Sequence, residues 1–146
     1  MTEVEEIITQ AAALPLQDAA YELWRQSSRL DRLEGRPTPD QVRAHRAMSP
    51  AEQAAKRRYD RDHAQDGPSF THVKRAYPKA SETAIKQAII AAVKFDTACF
   101  KYFSNDHHTD FWERCVRAVA CAAGESPGYL ESTCQAARNH VAYYMK

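Results

Sequence analysis

Residues 81–103 read SETAIKQAIIAAVKFDTACFKYF, and the fold follows from how this stretch is taken. At 100° per residue, Thr83, Gln87, Ile90, Lys94, Thr97 and Lys101 fall on one narrow, mostly polar strip. Apolar and small residues occupy the rest of the circumference, from Ala84 and Ile85 through Phe95 to Phe103. A helix apolar over so wide an arc must be surrounded by others. The stretch therefore predicts a central rod, roughly 35 Å long at 1.5 Å per residue. Asp96 is the one charge near the middle of the apolar arc.

Working outward, Ser69 to Tyr77 predicts a short helix stopped by Pro78, and Ser81 is placed to cap the rod. Thr109 or Asp110 begins another helix, with Glu113 as a capping-box partner and Gly124 as its close. The last helix is expected to open at Ser126-Pro127 and to bury a stripe of Leu130, Cys134, Ala137, Val141 and Tyr144 or Met145. Toward the N-terminus, Glu3 to Ala13 and Leu16 to Glu34 read as two helices, separated by Pro15 and ended by Gly35. Two further starts, Thr38-Pro39-Asp40-Gln41 and Ser49-Pro50-Ala51-Glu52, imply helices near 39–47 and 50–65, the second polar on nearly every side. No stretch alternates with a period of two, so no sheet is expected. The fold class is all-α, an irregular bundle of six to eight helices around one long helix at about 81–104. Its organisation is read as N-terminal helices with a charged arm (1–67) and a C-terminal core (68–146), or as one domain throughout. Nine of the fourteen aromatics follow residue 94, so the heaviest packing is expected between the rod and the last two helices.

Composition narrows the function. The 146 residues carry 20 basic and 19 acidic groups, but unevenly. Residues 1–34 hold three basic and seven acidic groups, net −4; residues 35–79 hold ten and five, net +5; residues 80–146 hold seven of each. No G-x-G-x-x-G, G-x-x-x-x-G-K or G-x-S-x-G motif occurs, so nucleotide and serine-hydrolase chemistry have no motif here. The opening MTEVEEII is acidic where a secretory leader would be basic, and the longest apolar run, Ala88 to Val93, is far short of a membrane span. A cytoplasmic location is expected. Cys99, Cys115, Cys121 and Cys134 all fall in predicted helices without a C-x-x-C pair, so they are read as free, buried thiols.

Three features could carry function. Asp96 needs a partner, a proton or water, and Arg114, Arg117, His140, Lys94, Tyr129 and Tyr143 are the candidate partners. It is read first as a buried anchor joining two helices, then as the cap of a helix broken at Phe95, then as a group that handles a ligand or proton. Asp96 with His140 is the candidate buried polar site. Asp106-His107-His108-Thr109-Asp110 has the residue types of a metal site. Adjacent histidines on extended chain diverge, so a capping loop is preferred and neither metal nor cofactor is expected. Arg43, Arg46, Lys56, Arg57, Arg58, Arg61, Lys74 and Arg75 form the candidate surface for nucleic acid or an acidic partner. The run SFTHVKRAY-PKAS-ETAIKQAI imitates a helix-turn-helix, although its second helix turns apolar on most sides by Ile89. No activated nucleophile stands out, so catalysis is unsupported. The leading expectation is a non-enzymatic regulatory or adaptor protein that binds another macromolecule, a protein before any other, through the arm and the N-terminal helices. Alternatives are a nucleic-acid-binding regulator using segment 36–79 and a ligand-binding domain with a pocket near Asp96. A homodimer through the heptad-spaced Leu16, Leu23 and Leu30 is a further expectation.

Overall fold

The computed structural model describes residues 1–35, 49–51, 53–54 and 67–146. Among these residues seven helices are described from end to end, and no strand: α1 (Glu3–Ala12), α2 (Leu16–Arg25), α3 (Ser27–Leu33), α4 (Phe70–Ala76), α5 (Glu82–Lys101), α6 (Phe111–Glu125) and α7 (Glu131–Met145). The long helix is α5, about 30 Å from end to end. Its start is set by Ser81, whose hydroxyl accepts from the Ala84 N–H at 3.1 Å, and it runs without a break past Asp96. Ile85, Ala88, Ile89, Ala92, Phe95, Ala98 and Cys99 are buried along it. Thr83, Gln87, Ile90, Lys94, Thr97 and Lys101 are all exposed, the strip that the 3.6-residue period marks out.

The helices α2, α4, α6 and α7 all pack on α5. An aromatic trio fixes the middle of the core. Phe95 stacks on Tyr129 with ring centres 4.3 Å apart, and Tyr21 of α2 meets Phe95 edge-on at 5.1 Å. Ala19, Ala20, Tyr21 and Leu23 of α2 are as deeply buried as anything on α5. The N-terminal helices thus share one core with the C-terminal ones. Leu23 and Leu30 of the heptad-spaced stripe are fully buried in it and Leu16 is half-buried, so the stripe faces the chain's own interior.

Several expectations need correction. Leu16 to Glu34 is two helices, not one: Gln26 sits at φ −95°, ψ 2°, and the Ser27 hydroxyl donates to the Trp24 carbonyl at 2.8 Å. A serine that bonds back to the preceding turn offers the backbone an alternative to the helix. The last helix begins at Glu131 rather than Ser126, because Gly128 takes φ 104° in the connecting turn. Leu130 is consequently an exposed N-cap and not a core residue, and at the other end of the stripe Tyr144 and Met145 are exposed in the last turn. Gly124 lies inside α6, and Glu113 pairs with Arg117 at 2.9 Å instead of closing a capping box. Cys121 is exposed, while Cys99, Cys115 and Cys134 are buried. Six positions on from Cys115, it stands about 240° away around the helix and cannot share that buried face.

Of the expected charged arm, Arg36 to Met48 and most of 52–66 lie outside the described residues. Within it Pro50, Ala51, Gln53 and Ala54 are helical and exposed, with the Gln53 N–H donating to the Ser49 carbonyl at 2.9 Å. Gly67 lies directly against α5. A Cβ there would lie 2.8 Å from Ile89 Cγ2 and 2.9 Å from Val93 Cγ2, and its φ is +143°, so only glycine fits. No helix among the described residues is long and apolar enough to cross a membrane.

Candidate functional site

Asp96 stands where three helices meet. Its Oδ2 accepts a hydrogen bond from Trp24 Nε1 of α2 at 3.2 Å. Its Oδ1 lies 3.7 Å from His140 Nε2 of α7, close enough for an ion pair and too far for a hydrogen bond. That oxygen is sealed from solvent and has no hydrogen-bond partner. The two side chains are only 18% and 16% exposed. Burial raises the Asp96 carboxyl above the usual carboxylate range, against the opposing pull of His140 and the Trp24 bond. Burial lowers the His140 imidazole, against the pull of Asp96. Both shifts share one physical cause, the cost of charge in an apolar setting.

Aromatic rings frame the pair. Phe100, one turn along α5 from Asp96, meets the His140 ring edge-on at 5.8 Å, and Tyr144 meets it at 4.9 Å. Nearby nucleophiles are kept protonated. Burial, then the Asp96 charge, pushes the Cys99 thiol up to about 12, and the same causes raise Tyr21 still further from its ordinary range. A thiol held in that state is not an attacking group. Of the other side chains weighed as partners for Asp96, Tyr129 stacks its ring on Phe95, and the rest are engaged elsewhere or turned outward. The Arg114 guanidinium lies over Phe103 and Phe111, Arg117 pairs with Glu113, and Lys94 and Tyr143 are exposed.

The basic candidates divide. Arg43, Arg46, Lys56, Arg57, Arg58 and Arg61 lie outside the described residues. Lys74 and Arg75, in the last turn of α4, are described and exposed. Lys74 Nζ donates to the Ala80 carbonyl at 2.9 Å, and Arg75 lies 3.9 Å from Glu34, which also pairs with the buried His72. At the start of α5, Lys86 is held by Glu82 at 2.9 Å. Along the chain α4, a turn and α5 follow one another as the expected motif would, and this paired Lys86 is the basic side chain in the first turns of α5. Lys74 and Arg75 instead border an open groove of about 620 Å³ between α1 and α4. Ile8, Phe70 and Pro78 supply its apolar surface, and Glu5 stands on its α1 side.

The histidine pair forms a turn. Asp106 accepts from the His108 N–H at 3.0 Å and from the Thr109 hydroxyl at 2.9 Å, and these bonds hold its carboxyl below the usual range. His107 and His108 are exposed. Among the described residues no three His, Cys, Asp or Glu side chains are grouped so as to hold a metal ion.

Two polar partnerships have no local signature in the sequence. Trp24 donates to Asp96 across 72 positions. Asp18, fully buried, accepts from the Leu130 N–H at 2.9 Å and from the Thr133 hydroxyl at 2.6 Å, so a side chain of α2 caps α7. The available clue is that α7 has no capping side chain of its own, since Leu130 stands at its N-cap. Comparisons with protein-family models, with curated proteins and with solved structures give no match to this chain.

Proposed function

We propose that this chain is a non-enzymatic adaptor or regulatory protein that docks an acidic, amphipathic segment of a partner protein in the groove between α1 and α4. The observation that carries this reading is the groove itself: an apolar floor of Ile8, Phe70 and Pro78 beside two exposed cations, Lys74 and Arg75. Apolar side chains of a partner would lose water against the floor, while its carboxylates would meet the cations. Residues 35–79 of the sequence carry ten basic and five acidic groups, a composition that suits an acidic partner. Charge of one sign around a docking site speeds encounter and selects for partners of the other sign. Four free cysteines, three of them buried, fit a reducing cytoplasm. With Leu23 and Leu30 inside the chain's own core, the reading favours an unlike partner over a second copy.

The test is selection of a displayed random-peptide library on the wild-type chain and on the double variant Lys74→Glu/Arg75→Glu. Wild type should enrich peptides that combine apolar residues with Asp and Glu. Their Kd should rise at least about tenfold on the double variant, some 1.4 kcal/mol, and should weaken with added salt. Equal enrichment on both chains, or none, would count against the groove. Retention of a fluorescent DNA duplex that the double variant loses would move the assignment to nucleic acid.

A further inference from the structure

We propose that the groove between α1 and α4 takes its partner as a short amphipathic helix whose acidic edge lies against α4 and whose other edge offers a lysine or arginine to Glu5 of α1. The inference rests on the docking reading given above and adds to it the form and charge pattern of the docked segment. The form follows from the walls. Both are helices, in which backbone N–H and C=O groups are largely bonded to one another. An extended segment laid between them would turn unpaired backbone groups toward Ile8, Phe70 and Pro78. No strand among the described residues offers an edge for it to join. A helix satisfies its own backbone and needs only an apolar stripe to cover the floor.

The charge pattern follows from the rims. Lys74 and Arg75 line the groove from α4 and Glu5 lines it from α1. All three are exposed, and each has a neighbour that restrains it. Lys74 Nζ donates to the Ala80 carbonyl at 2.9 Å, and Arg75 lies 3.9 Å from Glu34. Glu5 Oε2 accepts from the Thr2 N–H at 3.2 Å, as part of the capping box that starts α1. An ammonium with three donors and a carboxylate with two oxygens keep capacity beyond one such bond. The charges are therefore in place before a partner arrives, and matching them costs little further side-chain entropy. The neighbouring Glu3 pairs with Arg29 of α3, so Glu5 is the acidic side chain that lines the groove.

A helix acidic on both edges would gain at α4 and be repelled at α1, and one basic on both edges would meet the reverse. Only a helix with opposite charges on its two edges satisfies both rims, and the charges then fix which way round it lies. Selectivity of this kind comes from repelling the wrong edge as much as from attracting the right one. Glu5 is thus a specificity-determining residue, and Lys74 and Arg75 supply the larger attraction.

The probe is a displayed library of helical peptides that share one leucine stripe. The positions on its two edges vary among Glu, Gln and Lys, and a second set is interrupted by a central proline. The full wild-type chain should enrich uninterrupted peptides with Glu on one edge and Lys on the other. Glu5→Gln keeps a capping-box side chain and so the start of α1. On that variant the preference for Lys on the second edge should vanish, while that for Glu on the first remains. The Kd of the best wild-type peptide should rise about threefold on Glu5→Gln, the size of effect an exposed ion pair supplies. Changing its Lys edge to Gln should weaken binding to wild type and leave binding to the variant unchanged. Enrichment for Glu on the first edge with no preference on the second, or equal enrichment of the proline-interrupted set, would overturn this inference and leave the groove standing. No enrichment of any member would remove both. The wild-type selection decides the matter even if the variant fails to fold.

Discussion

Asp18 holds the first turn of α7 from 112 positions away in the chain. One oxygen, Oδ2, accepts from both the Leu130 N–H and the Thr133 hydroxyl, and the carboxylate sits at the positive end of the helix. An N-terminus without its own capping side chain leaves donors that burial would strand. Replacing Asp18 by Ala should therefore cost about 1–3 kcal/mol, the penalty for buried groups left without a partner. Asp18→Asn, which keeps one acceptor oxygen, should cost less. Urea unfolding would show the difference as a lower midpoint at unchanged slope. An Asp18→Ala midpoint equal to wild type would mean that water or a local side chain caps α7 instead. Asp96 differs in kind: its bond to Trp24 anchors α2 to α5, yet its second oxygen remains unspent.

At the scale of the element, α5 provides an internal control. Phe95 and Ile90 lie five residues apart on the same helix, one fully buried between Tyr21 and Tyr129, the other 55% exposed on the polar strip. Phe95→Ala should cost about 3–5 kcal/mol, because the lost transfer energy adds to the cavity left behind. Ile90→Ala should stay within about 0.5 kcal/mol of wild type. Thermal melts of the two variants test the surroundings of the whole rod, and equal losses would mean that the strip is covered by something. The strip was readable because a 3.6-residue period is imposed by geometry and survives any packing arrangement. The break at Gln26 was not, because it turns on one serine hydroxyl bonding back to Trp24 instead of facing solvent. The start of α7 was misplaced for a related reason. Ser126-Pro127 has the residues of a helix start, but Gly128 at φ 104° makes the pair part of a turn. Asp96 is conspicuous in the sequence as a charge among apolar neighbours, whereas nothing around Trp24 gives a reason to connect it with residue 96.

The whole molecule raises the question of how much chain is needed to make one core. Residues 68–146 contain α4 to α7 and most of the aromatics, and the sequence alone makes them look self-sufficient. The packing argues otherwise. Tyr21 and Leu23 are fully buried, and Tyr21 covers the edge of Phe95 at the centre of α5. Each large side chain withdrawn from water contributes about 1.5–3 kcal/mol. The same N-terminal region supplies Asp18 to cap α7, Trp24 to satisfy Asp96, and the Leu14 carbonyl that accepts from the Tyr77 hydroxyl. Against a typical domain stability of about 5–15 kcal/mol, losing these together should leave too little to fold. A fragment of residues 68–146 should therefore melt without a cooperative transition and bind a hydrophobic dye, while the full chain unfolds in one step. The two halves are then not modules joined by a charged linker, since α2 is part of the wall that makes α5 an interior helix. A sharp, reversible melt from the fragment, with dispersed amide resonances, would restore the division near residue 67 and reduce α1 to α3 to a detachable cover.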